Sequence, residues 1–297
     1  MDTAPVARKY LVVVADDLGR SSPVNRAIAA AHDRGIVTAA SIMAGGAAFE
    51  EAVDLVRNRE TLSVGLHLTL CDGRAVLPRR RIPGLVDPDG CFERNPAVAW
   101  LRCLYRDTDA QIEAEIAAQF DRLEAAGITP EHVDSHHHLH MQPRLFALVC
   151  RLAAERGVRW IRIPAEPASM LSKWRSPSRG IMPFLEWGAF AMLAPGNARA
   201  ARRYGLRSAC TVYGLSRTGA VDKAYLFAVV RSMSSSPCEL FVHPDEATPG
   251  GRKELEALIS PEVRHRIDAA GIELGHYESL FGALPASVAT GNQWTQR

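Results

Sequence analysis

Five histidines stand within nine residues of this chain, in His132-Val133-Asp134-Ser135-His136-His137-His138-Leu139-His140. A neutral imidazole is a common ligand for transition metals, and so many half-titrating side chains have no evident packing purpose. In an extended segment alternate residues share a face, so His136, His138 and His140 can point one way with Asp134 beside them. A solvated polar loop is the plainer alternative. Two other segments offer matching chemistry. Tyr10-Leu11-Val12-Val13-Val14-Ala15 reads as a buried strand, and it ends in Asp16-Asp17-Leu18-Gly19. Adjacent carboxylates at the end of a buried strand suit a bound cation, although a turn or capping aspartate is common. Leu62 to Leu70 is a strand pattern carrying a single histidine, His67. A lone histidine in such a strand is more often a satisfied core residue.

The elements that must hold these residues alternate along the chain. After the first strand, Ser22-Pro23 reads as an N-cap and first helical position, and the helix runs to Arg34 before Gly35. Residues 36–43 read as a strand, 47–58 as a helix and 62–70 as a strand, followed by a Pro/Gly-rich loop over 71–95. Thr108-Asp109-Ala110-Gln111 fits a capping box opening a helix to Ala126. A strand over 131–134 delivers the histidine cluster. A helix from Pro143 to Arg156, a strand from Arg159 to Ile163, a strand from Ala209 to Tyr213, a helix near 221–233 and a strand from Cys238 to His243 follow. Repeated βα units predict a parallel sheet with helices outside it. Asp16, Asp17, His67, Asp134, His136 and His243 all fall at or just past C-terminal strand ends, the rim that carries the active site in βα barrels.

Residues 164–208 break the pattern. Ile181 to Leu193 is apolar almost all round, and Arg199, Arg202, Arg203 and Arg207 follow. An ordinary buried helix is one reading. A lid is the other, with Phe184, Trp187 and Phe190 meeting an apolar substrate or a membrane surface, and the arginines suiting anionic headgroups.

The 297 residues, 47% of them hydrophobic, support one large core or two small ones. One domain over 8–284 is expected, with flexible tails at 1–7 and 285–297. A formal net charge of +2 without long charge runs argues against a nucleic-acid partner. No signal-like start and no run of about 18 apolar residues is present, so a cytoplasmic protein is expected, with peripheral membrane contact left open. Six cysteines (Cys71, Cys91, Cys103, Cys150, Cys210, Cys238) form no CxxC pair and read as reduced thiols.

At Ala15-Asp16-Asp17-Leu18-Gly19, Gly65-Leu66-His67-Leu68, the histidine cluster and Val242-His243-Pro244, the chain resembles the YdjC/ChbG family of carbohydrate deacetylases. Leu18 stands where that family usually has Phe. Within the family the chain looks most like the hopanoid-biosynthesis-associated (HpnK-like) branch. The resemblance implies an α/β fold, a deformed (βα) barrel related to the polysaccharide deacetylases. It implies one divalent metal ion, zinc, magnesium or another, held by Asp17, His67 and His136. It also implies removal of an N-acetyl group from an amino sugar, on an N-acetylglucosaminyl hopanoid glycolipid or on a soluble chitin-type oligosaccharide. Amide hydrolysis needs an activated water and a proton for the departing amine. Asp16 is then the general base and His243 the general acid. Asp134 orients an imidazole, His138 and His140 support the site or meet sugar hydroxyls, and Arg162 contacts substrate or orients Asp16. A different metal-dependent amidohydrolase or phosphoesterase, or a non-catalytic lipid-binding protein, are the competing readings.

Overall fold

Strand β1 (Lys9–Leu18) is buried from Leu11 to Leu18, as expected of a parallel strand covered on both faces. The structure, a computed structural model, describes residues 8–104, 106–171, 182–234 and 237–282. From β1 the chain enters α1 (Ser22–Asp33), with Pro23 in its first turn and Val24, Ala27, Ile28 and Ala31 buried on one face. Strand β2 (Ala39–Ile42), helix α2 (Phe49–Arg57) and strand β3 (Ser63–Leu68) repeat the unit. Past the long loop come α3 (Pro96–Arg102) and α4 (Asp109–Ala125). The expected capping box is absent: Thr108 makes no side-chain cap, and Gln111 instead accepts from the Gly84 backbone N–H at 2.8 Å. Strand β4 (His132–Ser135) leads through a tight turn to α5 (Pro143–Glu155) and to β5 (Trp160–Ile161). Then follow α6 (Ala168–Leu171), α7 (Met182–Arg203), β6 (Thr211–Tyr213), α8 (Lys223–Ser232) and β7 (Cys238–Val242). The chain closes with α9 (Pro249–Leu258), α10 (Pro261–Ala269), β8 (Ile272–Leu274) and α11 (Tyr277–Phe281).

The strands pair in parallel in the order β5-β4-β3-β2-β1-β7-β6, and β8 pairs with the start of β1. The sheet curls until its two ends meet. The Arg207 N–H donates to the Arg159 carbonyl at 2.8 Å, and the Ile161 N–H to the Arg207 carbonyl at 2.9 Å. The result is a deformed α/β barrel with helices outside. Its floor is apolar, made by Val12, Val14, Ala39, Trp160, Tyr277, Leu280 and Phe281. Side chains alternate along β1, so Val12 and Val14 fill that floor while Asp16, next on the same face, stands above it. Among the described residues no helix is long and apolar enough to cross a membrane.

Candidate active site

The strand β1 register shifts between Ala15 and Leu18, and Asp17 adopts a positive φ of 69°. A regular strand would send neighbouring side chains to opposite faces. The irregularity lets both Asp16 and Asp17 reach the barrel mouth. Asp17 Oδ1 lies 2.9 Å from His136 Nδ1 and 3.2 Å from His67 Nε2. Burial alone would raise Asp17, but the imidazoles of His136 and His67 hold its carboxyl well below the usual carboxylate range.

His67 projects from β3. Its Nδ1–H donates to Asp134 Oδ1 on β4 at 2.7 Å, which leaves Nε2 facing Asp17. Burial alone would lower His67, but the Asp134 and Asp16 carboxylates push it up to about 10. Asp134 also accepts from Ser41 Oγ at 2.7 Å and from Arg162 Nη2 at 2.8 Å. Burial would raise it, yet the Arg162 guanidinium and His67 hold it well below its ordinary value.

Arg162 is wholly buried. Nη1 and Nη2 donate to the two Asp16 carboxylate oxygens at 2.7 and 2.8 Å, and Nε donates to Glu239 on β7. A bidentate fork of this kind fixes a carboxylate in angle as well as position. Arg162 is fully covered and its fork closes on Asp16. His243, just past β7, places Nε2 3.7 Å from Asp16 Oδ2. Its backbone N–H donates at 2.6 Å to Glu254, a buried carboxylate on α9 that also accepts from the Val221 N–H at 3.0 Å.

The histidine cluster departs from the extended geometry expected of it. β4 ends at Ser135, and His137 and His138 take left-handed φ of 54° and 52°. The alternation is lost there, so His136, His138 and His140 do not share a face. His136 turns to Asp17. His138 packs between Phe190 and Phe241, with ring centroids 5.7 and 5.0 Å away. His140 points into the protein: Nε2–H donates to the Arg162 carbonyl at 2.8 Å and Nδ1 accepts from Ser135 Oγ at 2.5 Å. Burial pushes it down to about 4. It is wholly buried and does not line the cleft that opens above the cluster. It fixes the backbone that carries Arg162.

Sequence reasoning missed five residues of this neighbourhood. Arg20 joins Asp17 Oδ2 at 3.0 Å to Asp72 Oδ2 at 3.2 Å, and Asp72 lies 3.8 Å from His136 Nε2. Ser41, Glu239 and Glu254 complete the set. Glu239 carried a signal, a charged residue in the middle of an apolar strand. Asp72 sits in a loop without periodicity and gave none. Among the described residues the non-glycine positions with positive φ are Asp17, Asp72, His137 and His138, all on this rim. Strain of this sort gathers where function fixes the backbone.

A cleft of about 760 Å³ opens above the cluster, lined by Asp16, Asp17, His67, His136, His138 and His243, with Glu186 reaching it from α7. The expected lid is largely part of the body. Phe190 is buried, and the half-buried Trp187 donates from Nε1 to the Glu166 carbonyl at 2.8 Å; Phe184 alone of the three is exposed. Helix α7 packs against α5, which covers one of its faces. Arg207 leaves the α7 basic group altogether, lying over the Trp160 ring at the barrel floor. Residues 172–181 of the insertion, and the expected tails 1–7 and 285–297, lie outside the described residues.

The atoms Asp17 Oδ1, His67 Nε2 and His136 Nε2 are buried without a hydrogen-bond partner. Asp17, His67 and His136 each offer a ligand atom within 4.8 Å of the others. One carboxylate and two imidazoles, one imidazole braced from behind by Asp134, fit a divalent ion.

Fold and site together define an α/β barrel with a carboxylate–imidazole centre on its C-terminal rim. The chain belongs to the YdjC-like protein family, whose model matches residues 10–269. It is 41% identical over 148 residues to a carbohydrate deacetylase of Brevibacillus brevis, covering 50% of this chain and 57% of that one. A carbohydrate deacetylase of Geobacillus stearothermophilus is 38% identical over 170 residues, covering 57% and 64%. One from Mus musculus is 29% identical over 306 residues, covering 94% and 97%. The matches to the two bacterial relatives thus span less than two thirds of their length. The fold recurs in the crystal structure of an Enterococcus faecalis protein described as a candidate for cellobiose-phosphate cleavage. That structure has a TM-score of 0.65 and 24% identity, with 92% of this chain and 99% of that chain covered.

Proposed function

We propose that this protein is a metal-dependent carbohydrate deacetylase that hydrolyses the N-acetyl group of an amino sugar. The observation that carries the reading is the convergence of Asp17, His67 and His136 beside the Asp16–His243 pair, in a cleft open to solvent. The names of the relatives agree with it. Asp17, His67 and His136 would hold the ion, which when bound would polarise the amide carbonyl and acidify a water.

The chain's own residues do the rest. Asp16 takes a proton from the attacking water; Arg162 keeps its carboxylate in one orientation, so little order has to be gained during reaction. The water oxygen bonds to the acetyl carbon, and the C–N bond breaks. His243 gives the nitrogen its proton, so the products are acetate and a free amine. Asp134 keeps the His67 ring turned so that Nε2 faces Asp17.

The test is mass spectrometry of the metal-loaded protein incubated separately with chitobiose and with an N-acetylglucosaminyl hopanoid. Loss of one acetyl group from either substrate supports the reading, and the substrate that reacts identifies the aglycone. The exposed apolar residues of α7, next to Glu186 of the cleft, favour the glycolipid. Loss from neither, with turnover of a generic phosphate ester, would replace the deacetylase by a phosphoesterase.

A further inference from the structure

We propose that α3 and α7 together form a face that docks on an anionic lipid surface. Among the described residues the exposed large hydrophobics are Val98, Leu101, Leu104, Phe184, Leu185 and Met192, from 38% to 79% exposed. Single apolar residues on a surface need no explanation. Here all six fall on two helices, or two residues past the end of α3.

Both helices approach the same short segment. The Leu104 carbonyl accepts from Arg144 Nη1 at 2.9 Å, and the Cys103 carbonyl from Gln142 Nε2 at 3.5 Å. From the other side Asn197 of α7 donates to the Met141 carbonyl at 2.9 Å. Both helices are thus tied to the four residues Met141 to Arg144, which join the histidine turn of the cleft to α5. Along α7, Leu185, Met192 and Arg199 recur every seven residues and are all exposed, so they form one stripe.

Charge selects the occupant. Between them α3 and α7 carry Arg102, Arg199, Arg202 and Arg203 against Glu186 alone, and of these Arg102 pairs with Glu93 of the preceding loop at 3.4 Å, so the positive end of the face is that of α7. An apolar patch continuing into arginines matches the boundary between acyl chains and anionic headgroups. The inference rests on the deacetylase reading for its purpose, the capture of a sugar carried on a lipid; the docking itself is measured without activity.

The experiment is co-sedimentation of the full chain with phosphatidylcholine vesicles, with and without about one third phosphatidylglycerol. Sedimentation with the anionic vesicles only is expected, falling about tenfold as salt rises from about 0.05 M to about 0.5 M. Leu185→Ser with Met192→Ser, and separately Leu101→Ser with Leu104→Ser, should each weaken it about tenfold. Neither pair should change hydrolysis of soluble chitobiose. No sedimentation at low salt, equal binding to neutral vesicles, or binding indifferent to both pairs would overturn the proposal. A dimer in sedimentation equilibrium that the same substitutions dissolve would hand the face to a second copy. Vesicle binding without acetate release from any substrate would remove the deacetylase reading and leave the docking face standing.

Discussion

Asp16 and Asp17 are adjacent in the chain yet face different partners, Arg162 and the two imidazoles. Their substitutions should therefore fail differently. Asp16→Asn keeps the size of the side chain and leaves the ion ligands untouched. It should lower turnover by about 10²–10⁴, with one equivalent of metal still present by elemental analysis. Asp17→Ala should lose the metal itself. Near-normal turnover in Asp16→Asn would end its assignment as base. His140 allows a test by pH. In the unfolded chain it takes up a proton near pH 6.5, whereas burial holds the folded form neutral down to about 4. The folded state thus binds fewer protons in that window, so acid favours unfolding. The stability advantage of the wild type over His140→Gln, measured by urea unfolding, should shrink as pH falls from 6.5 toward 4. The full change is about 3 kcal/mol. A difference that stays flat would show a protonated or solvated His140.

At the level of elements, apolar periodicity located β3, α4 and α5 to within a residue or two, because their burial follows one repeat from end to end, and it found the start of β1 but stopped three residues short of Leu18. It ended β4 within one residue of Ser135, yet it gave the histidines beyond that point an extended form they do not have. His137 and His138 turn left-handed because the site requires it, and no local rule marks histidine for that conformation over an extended one. Nor did it separate the faces of α7, since Phe184 and Phe190 are the same residue type in one apolar run. Packing separates them. Phe190 is buried against His138, so Phe190→Ala should destabilise by about 3–5 kcal/mol. Phe184→Ala should stay within about 0.5 kcal/mol. Denaturant unfolding of the pair checks this, and equal effects would mean that α7 packs by another face.

Over the whole molecule the barrel interior is layered, with aromatic rings at the floor, a buried ionic network above them and the open site on top. Asp16, Asp17, Asp134 and Glu239 there face Arg162 and two imidazoles. Removing a divalent cation should leave these carboxylates to Arg162, Arg20 and the imidazoles alone, so the centre of the fold should loosen. The cysteines report it. Cys71, Cys103, Cys150, Cys210 and Cys238 are buried and only Cys91 is half-exposed. Burial pushes the thiols of Cys71, Cys150 and Cys238 up to about 12 and that of Cys103 up to about 11. One thiol should thus react promptly with a disulfide reagent and the others only as the protein opens. An ion at about 100 times its Kd adds about 2.7 kcal/mol to the folded state. Where labelling follows the open population, a chelator should speed the slow phase about a hundredfold, and restored metal should reverse it. Asp17→Ala should show the fast rate with or without chelator. A slow phase indifferent to the chelator in the wild type would mean that the three ligands hold no ion, and the proposed chemistry would fall with it.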